Sequence, residues 1–141
     1  MDIITKEFET EATIDALEKV IGFVDEQLEA VDCPMNIQLQ IELAVEEIFV
    51  NIANYAYVPN KGNADIEVRI TNDPVTAEII FKDRGVPYDP LAKEDPDISM
   101  PAAERDIGGL GIFLTKKNMD HLAYEYRDGM NVFMMKKVIA G

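Results

Sequence analysis

The stretch at residues 41–55 reads IELAVEEIFVNIANY. Its apolar residues recur at spacings of 4, 3, 4 and 3, at Ile41, Val45, Ile48, Ile52 and Tyr55. Such spacing places them on one face of a helix. The pattern therefore predicts a helix from about Asn36 to Tyr57, begun after the break at Pro34 and turned with this face towards a core.

A second amphipathic helix precedes this one. Its apolar stripe repeats at i, i+3, i+4, i+7 and i+11, at Leu17, Val20, Ile21, Val24 and Leu28. The spacing predicts a helix from about Thr13 to Ala30, with the Thr13 hydroxyl as its N-terminal cap. Only a short extended segment is expected before it.

Two strands are predicted after the central helix. The alternating apolar residues of the first are Ile66, Val68 and Ile70, and those of the second are Val75, Ala77, Ile79 and Phe81. A period of two is typical of half-buried strands. Ile80, between Glu78 and Lys82, indicates that the opposite face of the second strand is partly covered as well.

Regular periodicity stops between Asp83 and Gly111. This segment holds four of the eight glycines and four of the seven prolines. A loop of this length in a compact domain is uncommon unless it is a lid or a binding loop. Beyond it, the apolar spacing predicts a helix from about Gly109 to Met119.

The chain ends in a predicted hairpin. Two β-type runs, 122–127 and 131–139, flank Asp128-Gly129, a strong two-residue turn signal. The order of elements predicts an α+β fold, a two-layer sandwich in which helices cover one face of a mixed, mostly antiparallel sheet. We expect residues 1–141 to form a single domain, because the length suits one hydrophobic core.

The composition of the chain limits the kinds of molecule that it could bind. The 141 residues include 13 Lys and Arg against 27 Asp and Glu, a formal net charge of −14. A nucleic-acid binder needs a basic face and is excluded, whereas a basic protein segment would be attracted. The single cysteine, Cys33, excludes an intrachain disulfide and a multi-cysteine metal site. The apolar runs are far shorter than the ~20 residues that span a bilayer, so we expect a cytoplasmic protein with no membrane partner.

Three groups of residues are candidates for chemistry, and the first lies on the central helix. Glu47, Asn51 and Asn54 are spaced by 4 and 3 and project from one side of it. Such a row is more often a solvated helix face than a site. A carboxylate and an amide oxygen hold Mg²⁺ or position a hydroxyl only if a phosphate is held nearby.

The second group, at the end of a strand, is DRGVPYDP at residues 83–90. The carboxylate of Asp83 could accept a hydrogen bond from an exocyclic amine, and Gly85 could let a planar base approach the backbone. The same sequence is also typical of an ordinary Gly/Pro turn with an Asx cap.

The third group is DIGGLG at residues 106–111, which opens a helix. Clustered glycines there expose backbone N–H groups, and the helix dipole favours an anion such as a phosphate. The cluster alone is a weak signal. It matches neither the dinucleotide-binding fingerprint nor the Walker A loop, so those two folds are disfavoured.

Together and in this order, the three groups resemble the N, G1 and G2 boxes of the histidine-kinase-like ATPases, the GHKL or Bergerat-fold superfamily. The segments that carry the resemblance are Glu47–Asn51, Asp83–Pro90 and Gly108–Gly111. Within that superfamily the chain is most similar to the anti-sigma factor serine/threonine kinases, whose ending the tail Asn118–Asn131 also resembles. The likeness covers nearly the whole chain.

The resemblance implies an ATP pocket beneath a lid. It implies that Asn51 ligates Mg²⁺ through its amide oxygen, that Asp83 binds the adenine amino group and that Gly85 gives the base room. Glu47 matches the general base that accepts the proton of a substrate serine.

The resemblance also assigns the phosphate end of this pocket. Gly109, Leu110 and Gly111 would bring backbone donors to the phosphates. Arg105, near the end of the lid, would reach the γ-phosphate or a partner.

Partners follow from the same resemblance. It implies a substrate serine or threonine on a STAS-type anti-anti-sigma protein, a sigma factor or similar regulator as the second partner, and a homodimer, as relatives often form. The alternative function is a non-catalytic switch of the same fold, in which ATP only controls the binding of a protein. The residues leave both readings open.

Overall fold

The computed structural model describes residues 2–57, 60–72, 74–92 and 107–140. Its helices and strands, in chain order, are β1 (Asp2–Glu11), α1 (Leu17–Glu29), α2 (Met35–Tyr55), β2 (Asn63–Thr71), β3 (Val75–Asp83), α3 (Ile107–Asn118), β4 (His121–Arg127) and β5 (Met130–Ala140). Short 3₁₀ turns lie at Ile14–Ala16 and Pro90–Ala92. The predicted order of elements is confirmed.

The strands form one sheet in the order β1-β2-β3-β5-β4. Each of its neighbouring pairs is antiparallel. The helices supply the other layer, with α2 in contact with both α1 and α3. The predicted α+β sandwich is confirmed, and α2 is its central helix.

Strand β1 is longer than the short extended start that the sequence predicts. It runs for 10 residues and pairs with β2 from Asp2 to Glu11. Phe8 points from it to the helical layer, where its ring stacks on Phe23 of α1 with centroids 5.4 Å apart. This contact fixes α1 over the edge of the sheet.

The apolar face predicted for α2 packs on the sheet. Ile41, Val45 and Ile48 are buried in the main core, and Ile52 is partly buried against it. Tyr55 is the exception, because 53% of its surface is exposed. The last member of the stripe therefore lies beyond the core, at the end of α2.

Helix α1 begins later than predicted. The chain first makes a 3₁₀ turn in which the Ala16 N–H donates to the Thr13 carbonyl at 3.1 Å. The Thr13 side chain makes no capping hydrogen bond. The predicted hydroxyl cap is therefore wrong, since the backbone carbonyl of Thr13 accepts the hydrogen bond of the turn and the hydroxyl does not cap the helix.

The face of the sheet opposite the helices carries ion pairs. Arg69 binds Glu67 at 2.9 Å and Glu78 at 3.3 Å, and Lys82 lies 3.6 Å from Glu67. Ile80 lies among these side chains and is buried. The prediction that this face of β3 is partly covered is confirmed.

The closing hairpin and the start of α3 position the remaining motifs. Asp128 and Gly129 have φ values of 53° and 76°, the left-handed conformation that a type I′ turn requires. Helix α3 begins at Ile107, so the glycine cluster 108–111 lies in its first turns. About half of the predicted loop, residues 93–106, lies outside the described residues. Among the described helices, none has the length and apolar character needed to cross a membrane.

Candidate active site

A cleft between the C-terminal half of α2 and the sheet brings together two of the predicted site residues. Asn51 lines it from α2, and Asp83 lines it from the end of β3. Much of the remaining wall is apolar and includes Ile48, Ile52, Phe81 and Phe133. A mostly apolar slot with a few fixed polar groups is typical of a small-molecule site.

Two tyrosines lie together at this cleft. The rings of Tyr55 and Tyr88 are tilted against each other with centroids 5.9 Å apart. The cavity between the walls is about 30 Å³, far smaller than the roughly 300–1,000 Å³ of typical small-molecule sites. A purine base would therefore enter only if the cleft widens.

Asp83 is a buried charged group of the cleft, with only 4% of its surface exposed. Its Oδ1 accepts hydrogen bonds from the Gly85 N–H and from the Asn131 Nδ2, both at 2.9 Å. Burial raises the pKa of the Asp83 carboxyl, and the two donors oppose that rise. Because both bonds end on Oδ1, Oδ2 is the oxygen that a ligand amine would meet.

Asn131 is a site residue that the sequence reasoning missed. It lies directly across from Asp83 in the register of β3 and β5 and is itself buried. The signal was available, since Asn131 begins the inward-facing alternation continued by Phe133 and Met135. A polar residue at an inward position of a strand needs a buried partner, but nothing local identifies that partner as Asp83.

Gly85 is held close to the end of α2. A methyl group added there would overlap the backbone carbonyl of Ala56, and the next residue, Val86, donates its N–H to that same carbonyl at 2.9 Å. The absence of a side chain at 85 thus lets the strand-end loop pack directly on α2. This steric reason is independent of any bound base.

The polar row of α2 divides into an inner pair and an outer residue. The Asn51 Nδ2 donates to the Glu47 Oε2 at 2.7 Å. Asn54, the third predicted member, is exposed and does not line the cleft. The pair therefore remains as a candidate, with the amide oxygen of Asn51 left for another partner.

Glu47 faces α3. A side chain at Gly111 would overlap the Glu47 carboxylate, so the two residues are in direct contact. Both also line a groove of about 260 Å³ between α2 and α3, together with Leu43, Glu46 and Leu114. Asn51 consequently joins two cavities, because it lines the apolar cleft and bonds to a residue of the groove.

The first turn of α3 points its backbone donors away from the helix. In any α-helix the N–H groups of the N-terminal cap and of the first three residues have no intrahelical partner, and in α3 those three are residues 107–109. Gly109 is among them, whereas Leu110 and Gly111 are the fourth and fifth residues of the helix. The carbonyl of Gly111 accepts a hydrogen bond from the Thr115 hydroxyl at 2.9 Å. Arg105 lies outside the described residues.

The chain matches a known protein family over most of its length. Residues 10–137 match the model of the histidine kinase-like ATPase domain. The chain belongs to this family. The match spans the predicted N, G1 and G2 segments, so the resemblance seen in the motifs is confirmed at the level of the family.

Curated relatives within this family are serine kinases. The chain is 29% identical to the serine/threonine-protein kinase BtrW of Bordetella bronchiseptica over 96 residues, which are 67% of this chain and 66% of the relative. It is 28% identical to the serine-protein kinase RsbW of Listeria monocytogenes over 103 residues, 70% of this chain and 64% of the relative. The matches thus span slightly less than two thirds of each relative's length.

A solved structure has the same fold. The crystal structure of the RsbU and RsbW domains of Rv1364c from Mycobacterium tuberculosis matches 98% of this chain and 33% of its own chain. The TM-score is 0.70 at 14% sequence identity. At this identity the likeness concerns the fold, which agrees with the α+β sandwich described above.

Proposed function

We propose that this chain binds ATP and transfers its γ-phosphate to a serine or threonine of a protein partner. One observation carries the proposal: Asn51 links the apolar cleft, which holds Asp83, to the groove that holds Glu47 and Gly111. A nucleotide with its base at Asp83 would extend its phosphates past Asn51 towards the first turn of α3. Family membership and the serine kinases among its relatives support this direction.

The base end of this proposal depends on Asp83. A buried, ionised carboxylate accepts a hydrogen bond from the 6-amino group of adenine, and the apolar walls pack on the ring. Asp83 is held by two donors on one oxygen, which keeps the other oxygen oriented. In this proposal Asp83 thus selects the base.

The phosphate end depends on the start of α3. Backbone N–H groups of residues 107–109 and the positive end of the helix dipole would bind the phosphate oxygens. The amide oxygen of Asn51 is a hard donor of the kind Mg²⁺ prefers, and it is available because the amide nitrogen is bound to Glu47. A magnesium ion there would neutralise phosphate charge, and Arg105 would add a further positive charge.

Transfer then requires a base beside the phosphates. The Glu47 carboxylate would accept the proton of the partner's hydroxyl while that oxygen attacks the γ-phosphorus. The bond from the γ-phosphorus to the bridging oxygen breaks, and ADP leaves. Positioning by α2 and α3 would supply most of the rate enhancement, as in other phosphoryl transfers.

The partners in this proposal come from the likeness to anti-sigma factor kinases. The phosphate acceptor would be a STAS-type anti-anti-sigma protein, and this chain would itself sequester a sigma factor or similar regulator. A cytoplasmic site of action fits this role, and a homodimer would present two such sites.

Calorimetric titration with ATP, with and without Mg²⁺, tests the proposal. The Asp83→Asn variant keeps an oxygen for the Gly85 N–H but turns an NH₂ group towards the base, where it meets another donor. We expect a loss of at least about tenfold in ATP affinity, the scale of one unsatisfied buried hydrogen bond. Asp89→Asn is the matched control, because Asp89 is exposed in the same loop and only caps the Leu91 N–H. An Asp83→Asn variant that binds ATP as tightly as the wild type would contradict the site, and a wild type that binds no ATP would reject the function.

A further inference from the structure

Asn131 uses all four of its hydrogen-bonding positions inside the cleft. Its Nδ2 donates to the Asp83 Oδ1 at 2.9 Å and to the Val86 carbonyl at 2.8 Å. Its Oδ1 accepts from the Tyr88 N–H at 3.1 Å and from the Tyr124 hydroxyl. An amide has two donor hydrogens and two acceptor lone pairs, so the Asn131 side chain has a single satisfied orientation.

The hydrogen bonds of Asn131 affect both the orientation and the protonation of the Asp83 carboxyl group. Asn131 and the Gly85 N–H hold Oδ1, which prevents the carboxylate from rotating about its last torsion. Donors to a carboxylate favour its charged form, and here they oppose the effect of burial. Removing the Asn131 amide would leave Asp83 with one described donor, freer to rotate and easier to protonate.

The protonation state changes what Asp83 recognises. As a carboxylate it accepts a hydrogen bond and suits the 6-amino group of adenine. As a neutral carboxylic acid it also donates, and it then suits the 6-oxo group of hypoxanthine. Orientation and charge of this one carboxyl group thus set the preference between amino and oxo purines.

Asn131 also anchors the loop of Val86 and Tyr88, which forms one wall of the cleft. Its bonds to the Val86 carbonyl and the Tyr88 N–H attach that loop to β5. Tyr124 reinforces the attachment, because its hydroxyl lies 3.2 Å from the same Tyr88 N–H. The residue that orients Asp83 therefore also positions the aromatic side chain across the cleft.

We propose that Asn131 is a positioning residue for base selectivity, which makes the cleft prefer a 6-aminopurine nucleotide to its 6-oxo counterpart by holding Asp83 in one orientation. This inference rests on the proposed binding of ATP in the cleft. It extends that function by assigning selectivity to a residue on the last strand that acts through Asp83.

The test compares ATP with inosine triphosphate, which differs from it in the ring substituent at position 6 and the protonation of the adjacent ring nitrogen. Calorimetry would measure both affinities for the wild type and for Asn131→Ala. We expect the wild type to bind ATP at least about tenfold more tightly, and the ratio to fall towards one in the variant. Asn63→Ala is the control, since Asn63 is an exposed asparagine bonded to Glu9 outside the cleft, and its ratio should match the wild type.

A second variant keeps the test valid if Asn131→Ala does not fold. Tyr124→Phe removes only the hydroxyl that binds the Asn131 Oδ1 and the Tyr88 N–H, and it should lower the ratio by about two- to fivefold. Equal losses of affinity for both nucleotides in these variants would show a merely structural role and overturn the inference alone. A wild type that binds neither nucleotide would overturn the proposed function, and the inference with it.

Discussion

The carboxylate of Glu47 on α2 occupies the space where any side chain on Gly111 of α3 would lie. The proposed base is thus positioned from two sides, by the Asn51 amide at 2.7 Å and by the bare α-carbon of Gly111. Besides the proposed donation of backbone N–H groups to phosphates, the glycine cluster has a steric role. It lets α3 approach α2 closely enough to hold a functional side chain between them.

Gly111→Ala should lower phosphate transfer while leaving the unfolding free energy nearly unchanged. The added methyl displaces the end of a flexible side chain rather than backbone, so its steric cost is small, and alanine favours a helix by about 1 kcal/mol over glycine. We expect an unfolding free energy within about 1 kcal/mol of the wild type. Transfer of radiolabelled phosphate to a STAS-type partner should fall by about tenfold or more, because a base moved by about 1 Å loses its alignment.

Gly22→Ala is the matched control for this change. Gly22 lies in α1 with nothing within 4 Å of an added methyl. The unfolding free energy of the Gly22→Ala variant should exceed that of the wild type by about 0.5–1 kcal/mol, the helix preference of alanine over glycine. Its phosphate transfer should be unchanged. A Gly111→Ala variant with wild-type transfer would mean that the position of Glu47 does not matter to the reaction.

Glu47→Gln distinguishes a kinase from a non-catalytic switch. Glutamine has nearly the same shape, its oxygen still accepts the hydrogen bond from Asn51, and its contact with Gly111 is retained. It cannot take a proton from a hydroxyl at neutral pH. We expect ATP affinity within about twofold of the wild type and a loss of transfer of about 100-fold or more.

The two readings differ in what else Glu47→Gln changes. Under the kinase reading, partner regulation that depends on phosphorylation is lost along with transfer. Under the switch reading, ATP-dependent binding of the partner remains the same as in the wild type. Equal transfer by the variant and the wild type would remove Glu47 as the base.

Gly85→Ala should destabilise the chain. Here the added methyl would overlap the Ala56 carbonyl, which is backbone and also accepts the Val86 N–H. Neither group moves without breaking the contact between the strand-end loop and α2, so we expect a loss of about 2–3 kcal/mol in denaturant unfolding. A variant as stable as the wild type would show that Gly85 is needed only by the ligand, if at all.

The helices and most strands were predictable because their signals are local. The 4, 3, 4, 3 spacing on α2 and the Asp128-Gly129 turn each lie within a few residues of the structure that they predict. The sequence predicts only a short extended start in place of strand β1, because β1 is an edge strand and most of its exposed residues are charged. Edge strands avoid apolar alternation, since an apolar edge would invite aggregation.

The site was predictable where a motif names its residues and not where partners are distant in sequence. Asp83 and Glu47 stand within motifs, whereas Asn131 meets Asp83 across 48 positions. The contact of Gly85 with Ala56 likewise depends on how β3 and α2 meet. Such contacts are set by strand register and helix packing, which short stretches of sequence do not specify.

A group of carboxyls between α1 and α2 gives the chain a pH dependence separate from the site. The pKa of Asp25 is raised from 3.8 to about 6, by burial first and then by a hydrogen bond and charge from Glu42, with a smaller contribution from Glu29. Gln38 opposes the rise. The Asp25 Oδ1 is buried without a hydrogen-bond partner among the described residues. The ionised form is therefore disfavoured in the folded chain.

Asp25→Asn should stabilise the chain at pH 8 and much less at pH 4. Because the folded pKa of Asp25 lies above its unfolded value, the stability from its protonated form is complete below about pH 3.8 and is lost as the pH rises through about 6. Asparagine stays neutral throughout, so its advantage should grow over that interval to about 1 kcal/mol, discounted for partial exposure to solvent. Denaturant unfolding at both pH values measures this, with the exposed Asp15→Asn as control. An equal gain at pH 4 and pH 8 would contradict the titration of Asp25 as its cause.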